Sequence, residues 1–309
     1  MMATQDGAEL RAGGTDLSER RRSGLSAGPV IQLVPKAETA AITWDPSGGA
    51  SIGAATTVAA IARDERVAAA YPGLAAAARG LATPQIREIA TLGGNLAQHS
   101  RCWYYRNPQI ACLKKGGTEC PARNGNHLYG VAFDLGSCIA PHPSTMATAL
   151  LAYDGRIGTD RRRSLSITEL LGDGSDGRIE NLLQPGEIIE RVTLPQPLSG
   201  ERAAYRCAIS RSRAEWPLVE LVGRVVIANG SFAFLRLGAG GIAPVPLRLS
   251  AAEAYGQGEP VAASTIAAIA DHASSGSAPL PMTRYKLELL KGLVHDVLER
   301  LIGEPLRGA

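Results

Sequence analysis

The sequence predicts an α+β protein, and three observations carry that prediction. Strand-like and helix-like segments come in runs and mixed order rather than in strict alternation, which argues against a doubly wound parallel sheet. Two apolar runs, "PLVELVGRVVIA" and "SFAFLRLGAGG", flank Asn229-Gly230, a strong signal for a tight hairpin. Near the C-terminal end, "TRYKLELLKGLVHDVLERLIG" puts Leu287, Leu290, Val294, Val297 and Leu301 on one stripe at helical spacing.

The remaining elements follow in order. "AELRAGGTDLSER" reads as a short strand, a glycine turn and a polar segment. "ASIGAATTVAAIARDERVAAA" is a brief strand and then a helix capped by Thr56 or Thr57. "YPGLAAAARGLA" continues as an alanine-rich helix, and "TPQIREIATLGGNLAQ" turns through a second Gly-Gly pair. "ATALLAYDGRIGTD" reads as a hairpin turning at Asp154-Gly155. "SITELLGDG" is a short capped helix, and "GEIIERVTLPQP" a strand ended by proline. The proline-bounded point near residue 197 divides the chain into domains of residues 1–197 and 198–309.

A chain of 309 residues suffices for two domains with substantial cores. Its net charge of +3 is too small to argue for a nucleic-acid partner. No apolar run approaches a membrane span, and "MMATQDGAELRAGG" lacks the pattern of a secretory signal. A cytoplasmic location is the default, so the five cysteines are expected as thiols or metal ligands rather than disulfides. The basic clusters at residues 19–23 and 160–164 read as solvated loops, with anion-binding patches as the alternative.

"AGGTDL" (12–17) and "TLGGN" (91–95) share a design. Each pairs two glycines with small polar residues, so that backbone N–H groups can approach an anion. Two such loops can clamp a pyrophosphate, with Thr15, Thr91 and Asn95 as further donors. The bland alternative is two tight connections. Neither loop fits the dinucleotide fingerprint or the P-loop.

Four of the five cysteines, Cys102, Cys112, Cys120 and Cys138, crowd one polar segment at spacings of 9, 7 and 17 intervening residues. Without a C-x-x-C pair, a zinc ribbon or thioredoxin-type site is disfavoured. Four loop-borne thiols suit an iron–sulfur cluster. Arg101, Arg106, Lys114 and Lys115 would offset its charge, and Gly116 and Gly117 would let the backbone wrap it. Zinc and four free thiols stay open as alternatives. Cys207 stands apart as a lone thiol.

Together these motifs resemble the FAD-binding (medium) subunit of molybdenum hydroxylases, the xanthine dehydrogenase and carbon monoxide dehydrogenase family. "AGGTDL" is similar to its first pyrophosphate loop and "ATLGGNLAQ" to its second. "LGAGGIAPVPLRLSAAEA" and "YKLELLKGLV" look like its C-terminal domain. The resemblance covers nearly the whole chain. It implies a PCMH-type FAD-binding domain of two α/β subdomains, followed by a CO-dehydrogenase-flavoprotein-like C-terminal domain. The segment 101–138 resembles the insert of the branch that carries an additional [4Fe-4S] cluster, the 4-hydroxybenzoyl-CoA reductase and periplasmic aldehyde oxidoreductase types. By position, Leu10, Arg11, Ala12, Gly13, Gly14, Thr15, Asp16 and Leu17 should line the FAD diphosphate. Leu81 should lie near the ring system, Thr91, Gly93, Gly94 and Asn95 should form the second clamp, and Ile189 should touch the flavin. Cys102, Cys112, Cys120 and Cys138 should hold the cluster.

Three departures stand out. Thr145 replaces a family aspartate, and Cys207 replaces a flavin-proximal lysine whose charge Arg206 can supply. The chain also begins almost at the first glycine loop, as if its N-terminal edge were truncated.

The implied role is electron transfer inside a complex: a large molybdenum-cofactor subunit, a small subunit with two [2Fe-2S] centres, and this FAD carrier. Export with a partner's signal is the alternative to the cytoplasm. No acid–base residue is nominated, and His99, His127 and His142 read as loop or packing histidines. The rival functions are a degenerate structural subunit without FAD and a stand-alone flavin oxidase.

Overall fold

The computed structural model describes residues 7–212 and 214–303. Its first part opens with β1 (Glu9–Arg11), α1 (Leu17–Arg22) and β2 (Val30–Gln32), and β1 pairs parallel to β2. Next come β3 (Ile42–Trp44), β4 (Ala50–Gly53) and five short helices: α2 (Val58–Arg63), α3 (Glu65–Ala70), α4 (Pro72–Gly80), α5 (Pro84–Ile89) and α6 (Leu92–Leu96). The cysteine segment holds α7 (Trp103–Arg106) and is otherwise loops and single 3-10 turns. It is followed by α8 (Thr145–Ala152), β5 (Arg156–Thr159), α9 (Ile167–Leu171) and β6 (Ile189–Leu194). An antiparallel sheet in the order β3-β4-β6-β5 ties these pieces together.

A second antiparallel sheet, in the order β10-β9-β8-β7, is built from β7 (Arg202–Ala208), β8 (Val219–Ala228), β9 (Ser231–Gly240) and β10 (Leu247–Arg248). The helices α10 (Ser250–Gly256), α11 (Ala263–His272) and α12 (Tyr285–Ile302) complete the chain. The β8–β9 hairpin turns at Asn229-Gly230 as expected, with both residues at positive φ.

The core explains why β8 reads as a nearly continuous apolar run. Leu221 and Val225 pack with Val294, Val297 and Leu298 of α12, while Val222 joins the opposite core with Tyr71, Leu74 and Leu150. A strand covered on both faces loses its polar alternation. Gly223 is required here, because a Cβ would strike Val297 of α12. The predicted α12 stripe holds at Leu290, Val294, Val297 and Leu301, with Leu298 also buried and Leu287 only half-buried.

Of the two threonines offered as the cap of α2, Thr57 serves, its hydroxyl accepting from the Ala60 N–H at 3.1 Å. Three local expectations change. The single helix expected there breaks at Asp64, whose carboxylate accepts from the Val67 N–H at 2.8 Å and starts α3. The hairpin at Asp154-Gly155 is absent. "TMATALLA" is buried nearly all round and forms α8, capped by Ser144, and Asp154 uses its positive φ to leave that helix. The second glycine pair, read as a turn, is helical. It lies inside α6, started by Thr91. The short capped helix read in "SITELLGDG" is α9, started by a Ser166–Glu169 capping box.

Candidate functional site

A cleft of about 990 Å³ lies where the two glycine motifs meet. Its walls include all of Leu10 to Leu17, together with Thr91, Gly93, Gly94 and Ile189. The contact between the motifs is close: a Cβ on Gly13 would fall on the Ile89 carbonyl oxygen at the end of α5. Gly14 sits at φ +74°, a conformation that glycine adopts without strain. Only glycines let the first loop seat against the backbone that leads into the second.

The two loops are not equivalent. Bonds that brace the first use its carbonyls: Ser18 N–H donates to Gly14 at 2.9 Å, and Arg20 N–H to Asp16 at 3.0 Å. In the second, the N–H groups are already spent. Gly93 donates to Ala54 at 2.8 Å, and Gly94 donates to the Thr91 hydroxyl at 3.2 Å. The second loop therefore contributes closeness of approach rather than the backbone donors expected of it. Its bareness is tight too, since a Cβ on Gly93 would come within 2.9 Å of the Ala54 methyl.

Most of the cleft carboxylates are committed. Glu9 pairs with Arg20 at 2.5 Å, and Glu187 with Arg162 at 2.7 Å. Asp16 takes hydrogen bonds from Arg106 at 2.7 Å and from the His99 N–H at 3.2 Å, and pairs with Arg101 at 3.0 Å. Burial pushes the Asp16 pKa upward, but Arg101 and Arg106 outweigh it and hold the carboxyl below its ordinary value. The Nε of Arg20, buried in the cleft wall, has no partner among the described residues. A cradle that only glycine fits, in a cleft that an arginine also lines, suits the phosphate oxygens of a bound cofactor.

Three expected positions lie outside the cleft lining. Leu81 is buried in the first core. Asn95 spends its carbonyl oxygen on Ser144 at 2.7 Å and Met146 N–H at 3.3 Å, fixing the start of α8. Arg206 pairs with Asp296 of α12 at 2.9 Å. Thr145 is buried and bonded to Glu220, a carboxyl that sequence reasoning did not single out. Glu220 also accepts from Thr148 at 3.0 Å and Tyr205 at 2.9 Å, and burial raises its pKa.

The cysteine segment brings its four thiols into one neighbourhood. Cys102, Cys120 and Cys138 pack with Leu113, and the charges of Cys112 and Cys120 are felt at Cys102. Cys120 and Cys138 share a hydrogen bond, which lowers Cys120 to about 5 and raises Cys138. Burial raises Cys102. Among the described residues, no three His, Cys, Asp or Glu side chains form a ready group for a metal ion. The flanking cations are largely engaged elsewhere: Lys114 pairs with Glu180 at 3.1 Å, and Lys115 donates to Tyr104 O at 3.0 Å. Lys114 nonetheless pulls the Cys138 thiol downward against its other neighbours.

No helix among the described residues is long and apolar enough to cross a membrane. Residues 1–197 match the family described as FAD binding domain in molybdopterin dehydrogenase. Residues 203–301 match the CO dehydrogenase flavoprotein C-terminal domain. The chain is 32% identical over 300 residues to the aldehyde oxidoreductase FAD-binding subunit PaoB of Escherichia coli K12, covering 94% of this chain and 91% of that protein. It is 25% identical over 312 residues to the putative xanthine dehydrogenase FAD-binding subunit XdhB of the same strain, covering 100% and 92%. A carbon monoxide dehydrogenase structure from Hydrogenophaga pseudoflava shares the fold, with a TM-score of 0.75 at 20% identity over 96% of this chain and 90% of that one. Two adjoining domain matches and full-length likeness to FAD-binding subunits agree with the cleft, and the chain belongs to the FAD-binding subunit family of the molybdenum hydroxylases.

Proposed function

We propose that this chain is the electron-transfer flavoprotein of a heteromeric molybdenum-containing hydroxylase or dehydrogenase. It passes electrons between the [2Fe-2S] centres of a small partner subunit and an external acceptor, while a large subunit carries the molybdenum cofactor. The carrying observation is the cleft in which Gly13 seats on the Ile89 carbonyl and which Arg20, whose Nε has no partner among the described residues, also lines. FAD, when bound, supplies the redox chemistry. The chain binds and orients it: residues 10–17 line the diphosphate, Arg20 offers a charged donor, and Thr91, Gly93 and Gly94 admit close approach. We divide the chain at residue 197, and the residues lining the cleft then all belong to the first domain.

The same proposal gives Cys102, Cys112, Cys120 and Cys138 a [4Fe-4S] cluster. Their shared neighbourhood supports it, and a four-iron cluster spreads its thiolates farther apart than a single ion does. We place the complex in the cytoplasm, with export on a partner's signal as the alternative.

One experiment tests both parts. Acid extraction of the complex purified without air should release one flavin per copy of this chain. Cys112→Ser should lose four irons and keep the flavin. Full flavin with unchanged iron in that variant would remove the cluster. An extract without flavin would favour a structural subunit, a reading that the spent N–H groups of the second loop and the Arg206–Asp296 pair support.

A further inference from the structure

A second hollow of about 340 Å³ lies between the cysteine segment and the C-terminal sheet. Its mouth is aromatic. Trp103 is 59% exposed and meets Tyr129 edge-on at 5.0 Å, and Trp216, in the same lining, is 42% exposed. The Arg101 guanidinium lies 4.5 Å over the Trp216 ring. Half-exposed aromatic rings around one opening are poorly hydrated and suit a flat conjugated ligand.

The inner walls add polar groups with capacity to spare. Lys286, 1% exposed, donates to Gly241 O at 2.7 Å and, more weakly, to Tyr129 O at 3.4 Å. An ammonium carries three donors, and no carboxylate pairs with this one among the described residues. His142 is also buried in the wall. Ser144 N–H donates to its Nδ1 at 3.3 Å, so the neutral ring carries its proton on Nε2, which has no acceptor among the described residues. Glu220 does not answer either donor, because its oxygens are taken by Thr148 and Tyr205.

The ligand must therefore bring acceptor oxygens on a flat frame. Desolvation lowers Lys286 to about 7, so its charge is weakly held, which suits a carbonyl better than a phosphate. Arg101 holds its two terminal nitrogens on Asp16 and Glu19, and only its Nε has no partner among the described residues, so it presents no free fork to an anion.

We propose that this hollow binds a small flat ring with carbonyl edges, a quinone by chemical class. The proposal rests on the electron-transfer reading above and names the class of its external acceptor. Cys102 stands in the same wall, so the ligand would lie against the cysteine site.

The test is equilibrium dialysis of duroquinone, whose ring is fully substituted and does not alkylate thiols, against the flavin-loaded complex. We expect saturable binding, weakened about tenfold by Trp216→Ala and by Lys286→Met at unchanged flavin content, as for loss of one buried contact. Trp216 is at the surface, so its variant should fold even where that of Lys286 does not. Absence of saturable binding, or equal binding by the Trp216 variant, overturns the proposal. Loss of flavin in step with duroquinone also overturns it, because the hollow then belongs to the flavin. A parent protein without flavin would refute the electron-transfer reading alone, since duroquinone binding is measured separately.

Discussion

The Asp16 carboxylate accepts a hydrogen bond from Arg106 at 2.7 Å, across 90 residues of sequence. The first glycine loop is thereby tied to the cysteine segment, and Arg101 doubles the tie at 3.0 Å. All three side chains are at most 15% exposed, so these charges interact with little solvent screening. The cleft and the cysteine segment share one electrostatic joint.

Asp16→Ala should cost about 3 kcal/mol, because it strands two guanidinium groups that Glu19 alone cannot satisfy. The Asp16 pKa is lowered on folding, so its stabilisation is present at neutral pH and is lost as pH falls below its ordinary value of 3.8. Urea midpoints of parent and variant should differ at pH 7 and converge in acid. A constant difference down to the lowest pH would show that packing, not charge, holds the joint.

Gly13→Ala should abolish flavin retention, because its Cβ lands on the backbone oxygen of Ile89 and no side chain can move aside. Gly292→Ala is the matched control. A Cβ there meets nothing within 4 Å, and the residue lies within α12. It should gain about 1 kcal/mol from helix propensity. Flavin fluorescence after gel filtration reads the first variant, and thermal melting the second.

Local chemistry was legible in the sequence where its signal was complete within a few residues. Asn229-Gly230 turned a hairpin, and Ser166 with Glu169 capped a helix, because each geometry is set by neighbours. Asp154-Gly155 misled for a related reason. Its turn preference is real, but the apolar run before it is α8, buried on nearly all sides, and burial on every face erases helical periodicity. The first glycine motif was visible as a loop, whereas the second proved to lie inside α6. That Gly93 and Gly94 had spent their N–H groups was not, because the Ala54 partner lies 39 residues from Gly93. The Asp16–Arg106 joint, the Thr145–Glu220 contact and the second hollow all depend on tertiary neighbours that no spacing rule reports.

Glu187 gives an acid-limb prediction at the cleft edge. Its fully buried side chain accepts from Thr159 at 2.6 Å, Arg162 at 2.7 Å and the Gln184 N–H at 2.8 Å. Burial pulls its pKa upward, but these bonds prevail and bring it to about 2. The stability it contributes is present above the ordinary value of 4.5 and is lost as pH falls toward 2. Arg162→Ala should cost about 2 kcal/mol at pH 7 by leaving a buried carboxylate short of its partner. Denaturation midpoints from pH 7 to pH 2 should show that cost shrinking as Glu187 protonates, and a cost that persists unchanged would contradict the assignment.

Lys286 predicts a slope of the same sign, stability rising with pH, but on the alkaline side. Desolvation lowers its pKa from 10.5 to about 7, and only carbonyls receive its hydrogen bonds. Between those two values the unfolded chain holds a proton that the folded chain has released. Stability therefore rises with pH across that window. Lys286→Met removes the titrating group while keeping its apolar stem, so the difference between parent and variant isolates this one residue. The parent should gain on the variant steadily from pH 7 to pH 10 in urea titrations followed by tryptophan fluorescence. Parallel curves would mean that the ammonium keeps its proton in the folded state, held by water or an anion inside the hollow, and the cavity would then be a cation-lined site rather than a carbonyl-binding one.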